Sequence, residues 1–266
     1  MKPKISIITV CYNSSAHIEE AIKSVIGQTY DNIEYIVIDG GSTDGTVDII
    51  NKYKENINYF VSEPDKGISD AFNKGIVAST GDMIGIVNSD DMLYDCEVLA
   101  KVATYYSPDI DLYRGKEIVR NFETGYEYTL NPTMTIKCNP LSFCVCHMAT
   151  FISREAIQKY GMYDVEFNYC MDKDLIYRYM YNGATSIEMD VIVGIFRPGG
   201  VSHCHNKKMR KECALIVERT GGSKFDVMLF KFEMLLKTFL RRILNKIDPD
   251  LPGKIKHGNK HQAKEK

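Results

Sequence analysis

The chain opens on an unbroken apolar run, "KISIITVCYN", rich in β-branched residues and closed by polar Asn13, the pattern of a strand buried on both faces. Ile18, Ala21, Ile22 and Val25 then recur at helical spacing, with Ser14 or Ser15 placed to cap the helix. The two patterns repeat. Strand "IEYIVID" is followed by helix "TVDIINKYKE", the shorter strand "INYFVSEP" by helix "GISDAFNKGIVAST", and a fourth strand, "DMIGIVNSDD", comes next. This β-α-β-α-β-α-β order predicts an α/β fold with a parallel sheet flanked by helices. Ligands of such sheets sit at the carboxyl ends of the strands. Polar residues gather there, at Thr9 to Asn13, Asp39 to Asp44, Glu63 to Lys66 and Asn88 to Asp91, so one composite site is expected.

Past Asp91 the pattern loosens. "DLYRGKEIVRNFETGYEYTL" reads as a hairpin turning at "ETG", and "CHMATFISREAIQKYGMYD" as a strand and a short helix. "CMDKDLIYRYMYNG" reads as a helix that stops at Gly183. From Phe225 to Ile247, ten apolar residues (Phe225, Met228, Leu229, Phe232, Leu235, Leu236, Phe239, Leu240, Ile243 and Ile247) share one helical face, with Lys237, Arg241, Arg242, Asn245 and Lys246 mostly off it. The remaining "DPDLPGKIKHGNKHQAKEK" has the composition of a disordered tail.

Composition changes this picture in three places. No stretch of 18 or more uncharged apolar residues exists, so no membrane-spanning helix is expected. The apolar run at the N-terminus is too short for a secretory signal, which points to a reducing compartment and free thiols for the eight Cys. Neither "CVC" nor "HCH" belongs to a CxxC pair at zinc-ribbon spacing. Charge is uneven: residues 207–266 hold 16 Lys and Arg against 7 Asp and Glu, leaving residues 1–206 strongly acidic. A basic C-terminal segment suits an anionic surface.

Four stretches carry candidate chemistry. Asp90 and Asp91 are adjacent acids that repel unless something lies between them, and a divalent cation such as Mg²⁺ or Mn²⁺ suits hard carboxylate oxygens; a solvated turn or a helix cap is the other reading. "VIDGGSTDGT" permits close backbone approach, with Asp39 positioned to accept from a base or ribose, but lacks GK[ST] and GxGxxG, so it is neither a P-loop nor the dinucleotide fingerprint. "SEPDKGISDAFNKG" offers Lys66, Asp70, Asn73 and Lys74 at a helix start that favours anions, or a plain surface cap. In "CMDKDL", Asp172 and Asp174 open a helix whose dipole stabilises negative charge, and Asp172 is a candidate general base.

Taken in order, "SIITVCYN", "SVIGQTYDNIEYIVIDGGSTDGT", "SEPDKGISDAFNKG", "STGD", "GIVNSDD" and "CHMATF…YGMYD…MDKDL" resemble the family 2 glycosyltransferases of the GT-A fold, of the bacterial polysaccharide and O-antigen assembly type, from about Ile5 to about Gly200. The resemblance implies a mixed, mostly parallel sheet and an inverting transfer of a hexose or N-acetylhexosamine from a UDP-sugar to a glycan hydroxyl, often lipid-linked. It implies a nucleotide-binding half at about 1–95 and an acceptor half at about 96–222 of one domain (1–222), followed by the amphipathic helix (223–248) and the basic tail (249–266).

Carried over by residue, Thr9 and Tyr12 line the nucleotide site, Asp39 contacts the base, and Lys66 neutralises charge on the departing diphosphate. Asp70 and Asn73 belong to the donor site. Asp91 ligates Mn²⁺ or Mg²⁺, while Asp90 meets the ribose or the metal. Asp172 is the base, although Met171 stands where the family has Glu, which keeps Asp174 open. His147 is placed either at acceptor or diphosphate or in the core, and His203 and His205 near a further metal or phosphate contact. The resemblance also favours the inner face of the cytoplasmic membrane, reached through the C-terminal helix; nucleic acid is not an expected partner, and a homo-oligomer stays open. A catalytically inactive nucleotide-sugar-binding homologue is the alternative to an enzyme.

Overall fold

The computed structural model describes residues 2–132, 145–199, 207–248 and 250–257. Nine strands form one sheet in the order β3-β2-β1-β4-β8-β6-β9-β5, with β7 paired to β6. Its first part is the predicted alternation: β1 (Ile5–Cys11), α1 (Ile18–Ile26), β2 (Ile33–Asp39), α2 (Thr46–Asn51), β3 (Tyr59–Ser62), α3 (Ile68–Ala78) and β4 (Met83–Ile86). These four strands are parallel. Beyond them the sheet is mixed. β8 (Thr150–Ser153), which leads into α5 (Arg154–Tyr160), runs antiparallel to β4 and to β6 (Leu112–Arg120), whereas β9 (Ser186–Phe196) is parallel to β6. The predicted hairpin is β6 with β7 (Glu127–Leu130), and the two-residue β5 (Met92–Leu93) pairs with β9.

Side chains of β1 alternate between two cores. Ile8 and Val10 join α3, α6 (Met171–Tyr181) and α7 (Lys207–Arg219) on one face, while Ile5, Ile7 and Cys11 join α1 and α4 (Val98–Ala103) on the other. Register aligns the strand ends: Cys11 pairs with Asp39, and Asp39 with Ser62. β4 stops earlier, at Ile86 beside Ile8, which frees Val87 to Asp91 to curve across the end of β1.

Glu34 ties the opposite edge together. It accepts from the Ser6 and Thr80 hydroxyls, the Thr80 amide and the Lys4 ammonium, all within 2.9 Å. Burial alone would raise its pKa, but these donors outweigh it and bring the carboxyl down to about 2. A depressed carboxyl contributes stability that is complete above its ordinary value of 4.5 and is lost as pH falls towards 2. Glu34→Ala is therefore expected to cost about 3 kcal/mol at neutral pH by urea unfolding. Glu34→Gln should lose less stability than wild type between pH 5 and 3.

Two local expectations need correction. Helix α1 begins at Ile18 with His17 at the cap position and no side-chain cap. Ser14 contributes its carbonyl to the amides of His17 and Ile18, because its hydroxyl is engaged by Ser89 and the Tyr12 carbonyl. In the tail, residues Leu251–His257 form a helix, α9, where disorder was expected. Lys254 pairs with Asp248 at 2.6 Å, and the Asn121 amide donates to Asp250 at 3.0 Å, fastening this segment to the hairpin.

Helix α8 (Lys224–Ile247) starts with the capping box of Ser223 and Asp226. Its buried face is narrow: Val227, Phe230, Met234 and Thr238. The ten apolar residues of the sequence-defined face are all exposed. No helix among the described residues is long and apolar enough to cross a membrane.

Candidate active site

The loops after β1, β2, β3 and β4 meet as the alternation predicts. Asn13, in left-handed conformation at φ 49°, receives the Thr43 amide on its side-chain oxygen and donates its own amide to the Ser42 hydroxyl. Asp44 accepts from the Ser15 and Thr46 amides. Above these loops lies a cavity of about 500 Å³, lined in part by Tyr12, His17, Asp65, Asn88 and Asp90. A second, of about 640 Å³, lies between the β6–β7 hairpin and the C-terminal helices, where Phe122, Tyr126, Tyr128 and Arg197 contribute. His17 and Asp90 belong to both cavities.

The two adjacent acids have different environments. Asp91 is buried, and both of its oxygens are held by protein: the Arg197 amide at 3.0 Å and the Asn88 side-chain amide at 3.1 Å. The cause is β5, whose pairing with the end of β9 brings Arg197 against Asp91. Burial and the neighbouring charge of Asp90 push the Asp91 carboxyl up to about 7. Asp90 lines both cavities, and no other described residue donates a hydrogen bond to its carboxylate. Burial raises its pKa too, opposed by the charges of His17 and Arg197. Asp90 thus faces the two cavities with its carboxylate, while both Asp91 oxygens already have protein partners.

Several other expected residues have partners within the protein. Thr9 is fully buried and accepts from the Tyr35 hydroxyl at 3.1 Å, because strand alternation turns it to the α1 side of the sheet. Asp39 is also fully buried. It accepts from the Gly41 and Ser42 amides, the Ser42 and Ser62 hydroxyls and the Cys11 thiol, which hold its pKa low against the opposing effect of burial. Such a carboxylate has no acceptor left for a base. Asp70 accepts the Lys66 amide at 3.0 Å. Asn73 is a two-way staple to the backbone of Tyr163. Lys66 is exposed and is not among the cavity-lining residues, and Lys74 is paired with Glu63 at 2.8 Å.

Asp172 and Asp174 separate as clearly. Asp174 is buried and faces Arg178 and Arg219, each at 3.5 Å, which oppose the upward pull of burial on its pKa. It anchors α6. Asp172 is half-buried in the first turn, and its described hydrogen bond is to the neighbouring Lys173 amide. It lies close enough to His147 and Tyr163 for its charge to act on both, although it lines neither cavity. Glu212 of α7 fixes the entry to this helix by accepting the amides of Asn168, Tyr169 and Cys170. His147 meets the Tyr163 hydroxyl at 2.8 Å and packs edge-on to Phe72, and burial lowers its pKa. His203, His205 and the Cys residues of "CVC" and "HCH" other than Cys146 fall outside the described residues.

The mixed sheet and its flanking helices match solved GT-A glycosyltransferase folds. S. aureus TarS superimposes with a TM-score of 0.63 over 90% of this chain and 43% of its own, at 19% identity. The mannosyltransferase PcManGT from Pyrobaculum calidifontis, solved with GDP-Man and Mn²⁺, gives 0.65 over 91% of this chain and 70% of its own, at 18% identity. The glycosyl transferase family 2 model matches residues 6–161, and a PGL/p-HBAD biosynthesis glycosyltransferase of Mycobacterium bovis is 32% identical over 211 residues, 76% of this chain and 80% of its own. The chain belongs to glycosyl transferase family 2, and it is a glycosyltransferase.

Proposed function

We propose that the protein transfers a hexose or N-acetylhexosamine from a UDP-sugar to a hydroxyl of a glycan acceptor, with inversion, in a bacterial surface-polysaccharide pathway. The observation that carries this reading is Asp90, the carboxylate shared by two adjoining cavities. The cavity over the strand ends suits the donor. The neighbouring one, walled by Phe122, Tyr126 and Tyr128, suits the flat faces of acceptor sugar rings. TarS has been solved with UDP and with UDP-GlcNAc, which supports the uridine donor.

A divalent cation fits this arrangement only as a shared ion. No group of three or more His, Cys, Asp or Glu side chains that could hold a metal by itself exists among the described residues. Asp90 supplies one free carboxylate, and Mg²⁺ or Mn²⁺ is commonly held by one or two carboxylates plus substrate phosphates. When bound, the ion would neutralise charge on the leaving diphosphate. Arg197 sets the local field from the protein side: its side chain bonds the Asp90 carbonyl and Glu20 and covers the Phe122 ring.

Asp172 is assigned as the base that takes the proton of the attacking acceptor hydroxyl, since Asp174 is buried between Arg178 and Arg219; because Asp172 lines neither cavity, this assignment requires the hydroxyl to approach from the α6 side of the donor cavity. A single displacement needs no covalent enzyme intermediate, and the Cys11 thiol, the one at the strand ends, is pushed up by burial and by Asp39, away from nucleophilic use. A screen of UDP-sugars with lipid-pyrophosphate acceptors, read as UDP release, tests the reading. Transfer from one of them supports it, and release from none of them by folded full-length protein counts against it.

The exposed apolar face of α8, flanked by Lys231, Lys237, Arg242 and Lys246, is assigned to the surface of an anionic membrane on the cytoplasmic side. Because these side chains are exposed, Phe232→Glu with Leu236→Glu and Phe239→Glu should leave the fold intact. The triple variant should abolish flotation with anionic vesicles. Equal flotation of wild type and variant, or a dimer that forms through this face and ignores vesicles, would refute membrane docking.

A further inference from the structure

The base of the donor nucleotide has lost its expected partner, since every acceptor position of Asp39 is taken. A second carboxylate stands in that place. Asp65, in the loop between β3 and α3, lines the donor cavity beside Tyr12. Its Oδ1 accepts the Gly67 amide at 2.9 Å, and no described residue donates to its Oδ2. That Oδ2 lies over Gly40: a Cβ built on residue 40 would come within 2.5 Å of it and within 3.4 Å of the Tyr12 ring.

Gly40 is therefore a glycine for space. Its neighbour Gly41 has φ +84° and needs glycine for its backbone, whereas Gly40 lies outside the left-handed region. What Gly40 accommodates is the carboxylate of Asp65. A half-open patch results, with an exposed aromatic face (Tyr12 is 64% exposed), a flat glycine floor and one fixed, unpartnered acceptor.

We propose that Asp65 reads the base of the donor, accepting the imide N–H of a uracil ring that lies against Tyr12 and Gly40. This rests on the donor reading of the cavity. A carboxylate oxygen attracts a ring N–H and repels a ring nitrogen lone pair, so it selects uracil over cytosine. Gly67 fixes Asp65 through the other oxygen, so the selecting atom is held in place before any nucleotide binds.

The test is titration calorimetry of the full-length protein with UDP, CDP and 3-methyl-UDP, all in Mn²⁺. Wild type should bind UDP and bind the other two at least about tenfold more weakly. In Asp65→Asn the amide oxygen keeps the Gly67 contact while the amide nitrogen presents a donor. UDP binding should fall about 10- to 100-fold and CDP binding should rise, inverting the preference. Gly40→Ala should weaken UDP binding in wild type and be tolerated in Asp65→Ala, which removes the clashing carboxylate.

Asp65→Asn binding UDP as tightly as wild type, or losing UDP and CDP in equal measure with a matching drop in thermal stability, would overturn the assignment. A wild-type protein that prefers GDP to UDP would overturn it as well. Wild type binding no nucleoside diphosphate at all would instead strike the donor reading.

Discussion

Asp90→Asn should lower kcat/KM for sugar transfer by about 10³-fold, the scale on which single charged contacts to a leaving group act. Its carboxylate is the charged group common to the two cavities, and no other described residue occupies it. The amide is of the same size, so the fold should stay within about 1 kcal/mol of wild type. Mn²⁺ should cease to strengthen UDP binding in this variant. Asp91→Asn should behave differently. Burial and the neighbouring charge of Asp90 already favour the protonated form of Asp91, so a neutral side chain is better tolerated there than at Asp90. It still offers an acceptor to the Arg197 amide. This variant should lose stability more than turnover and keep over about a tenth of the activity. The opposite ranking of the two variants would return the diphosphate to Asp91.

Asp172→Asn should remove transfer by about 10²- to 10⁴-fold, the usual contribution of a positioned general base. UDP affinity should change less than about twofold, because Asp172 lies outside the donor cavity. Asp174→Asn separates position from chemistry. Removing a buried charge that faces Arg178 and Arg219 should cost about 3 kcal/mol of stability. The part of Asp174→Asn that remains folded should turn over at near the wild-type rate. Full activity in Asp172→Asn would show that another group takes the proton.

Much of this architecture was written in the order of apolar runs. The four strand ends fall where strand and helix periods meet, and the register of Cys11, Asp39 and Ser62 makes them one site. What periodicity does not carry is which way a polar side chain turns at a strand end. Thr9 and Asp39 are polar and correctly placed along the chain, yet one faces a buried core and the other is engaged by its own loop together with Ser62 and Cys11. The different surroundings of Asp90 and Asp91 depend on the pairing of β5 with β9, about a hundred residues away in sequence, which no local pattern reports.

Asp65 does not stand out in the sequence, because Lys66 and Lys74 of "SEPDKGISDAFNKG" point to phosphate instead. The signal that points to it is the glycine at position 40, a small residue that backbone conformation does not require. Helix α7 was also missed: its first turn is "KKMR", and only Cys213, Ala214, Ile216 and Val217 are buried, too narrow a stripe to stand out. The C-terminal helix is legible in the sequence, but the narrow stripe that docks it is not. The face with more apolar residues is the exposed one, and Val227, Phe230 and Met234 hold it to the domain.

The central claim is that a nucleoside diphosphate binds over these strand ends through a cation shared with Asp90. Calorimetric titration of UDP into the full-length protein, with Mn²⁺ and then with EDTA, for wild type and Asp90→Asn, tests it most directly. The account predicts saturable, Mn²⁺-strengthened binding to wild type and loss of the Mn²⁺ effect in the variant. Binding that is absent, or that is equally strong with EDTA and in Asp90→Asn, would contradict it.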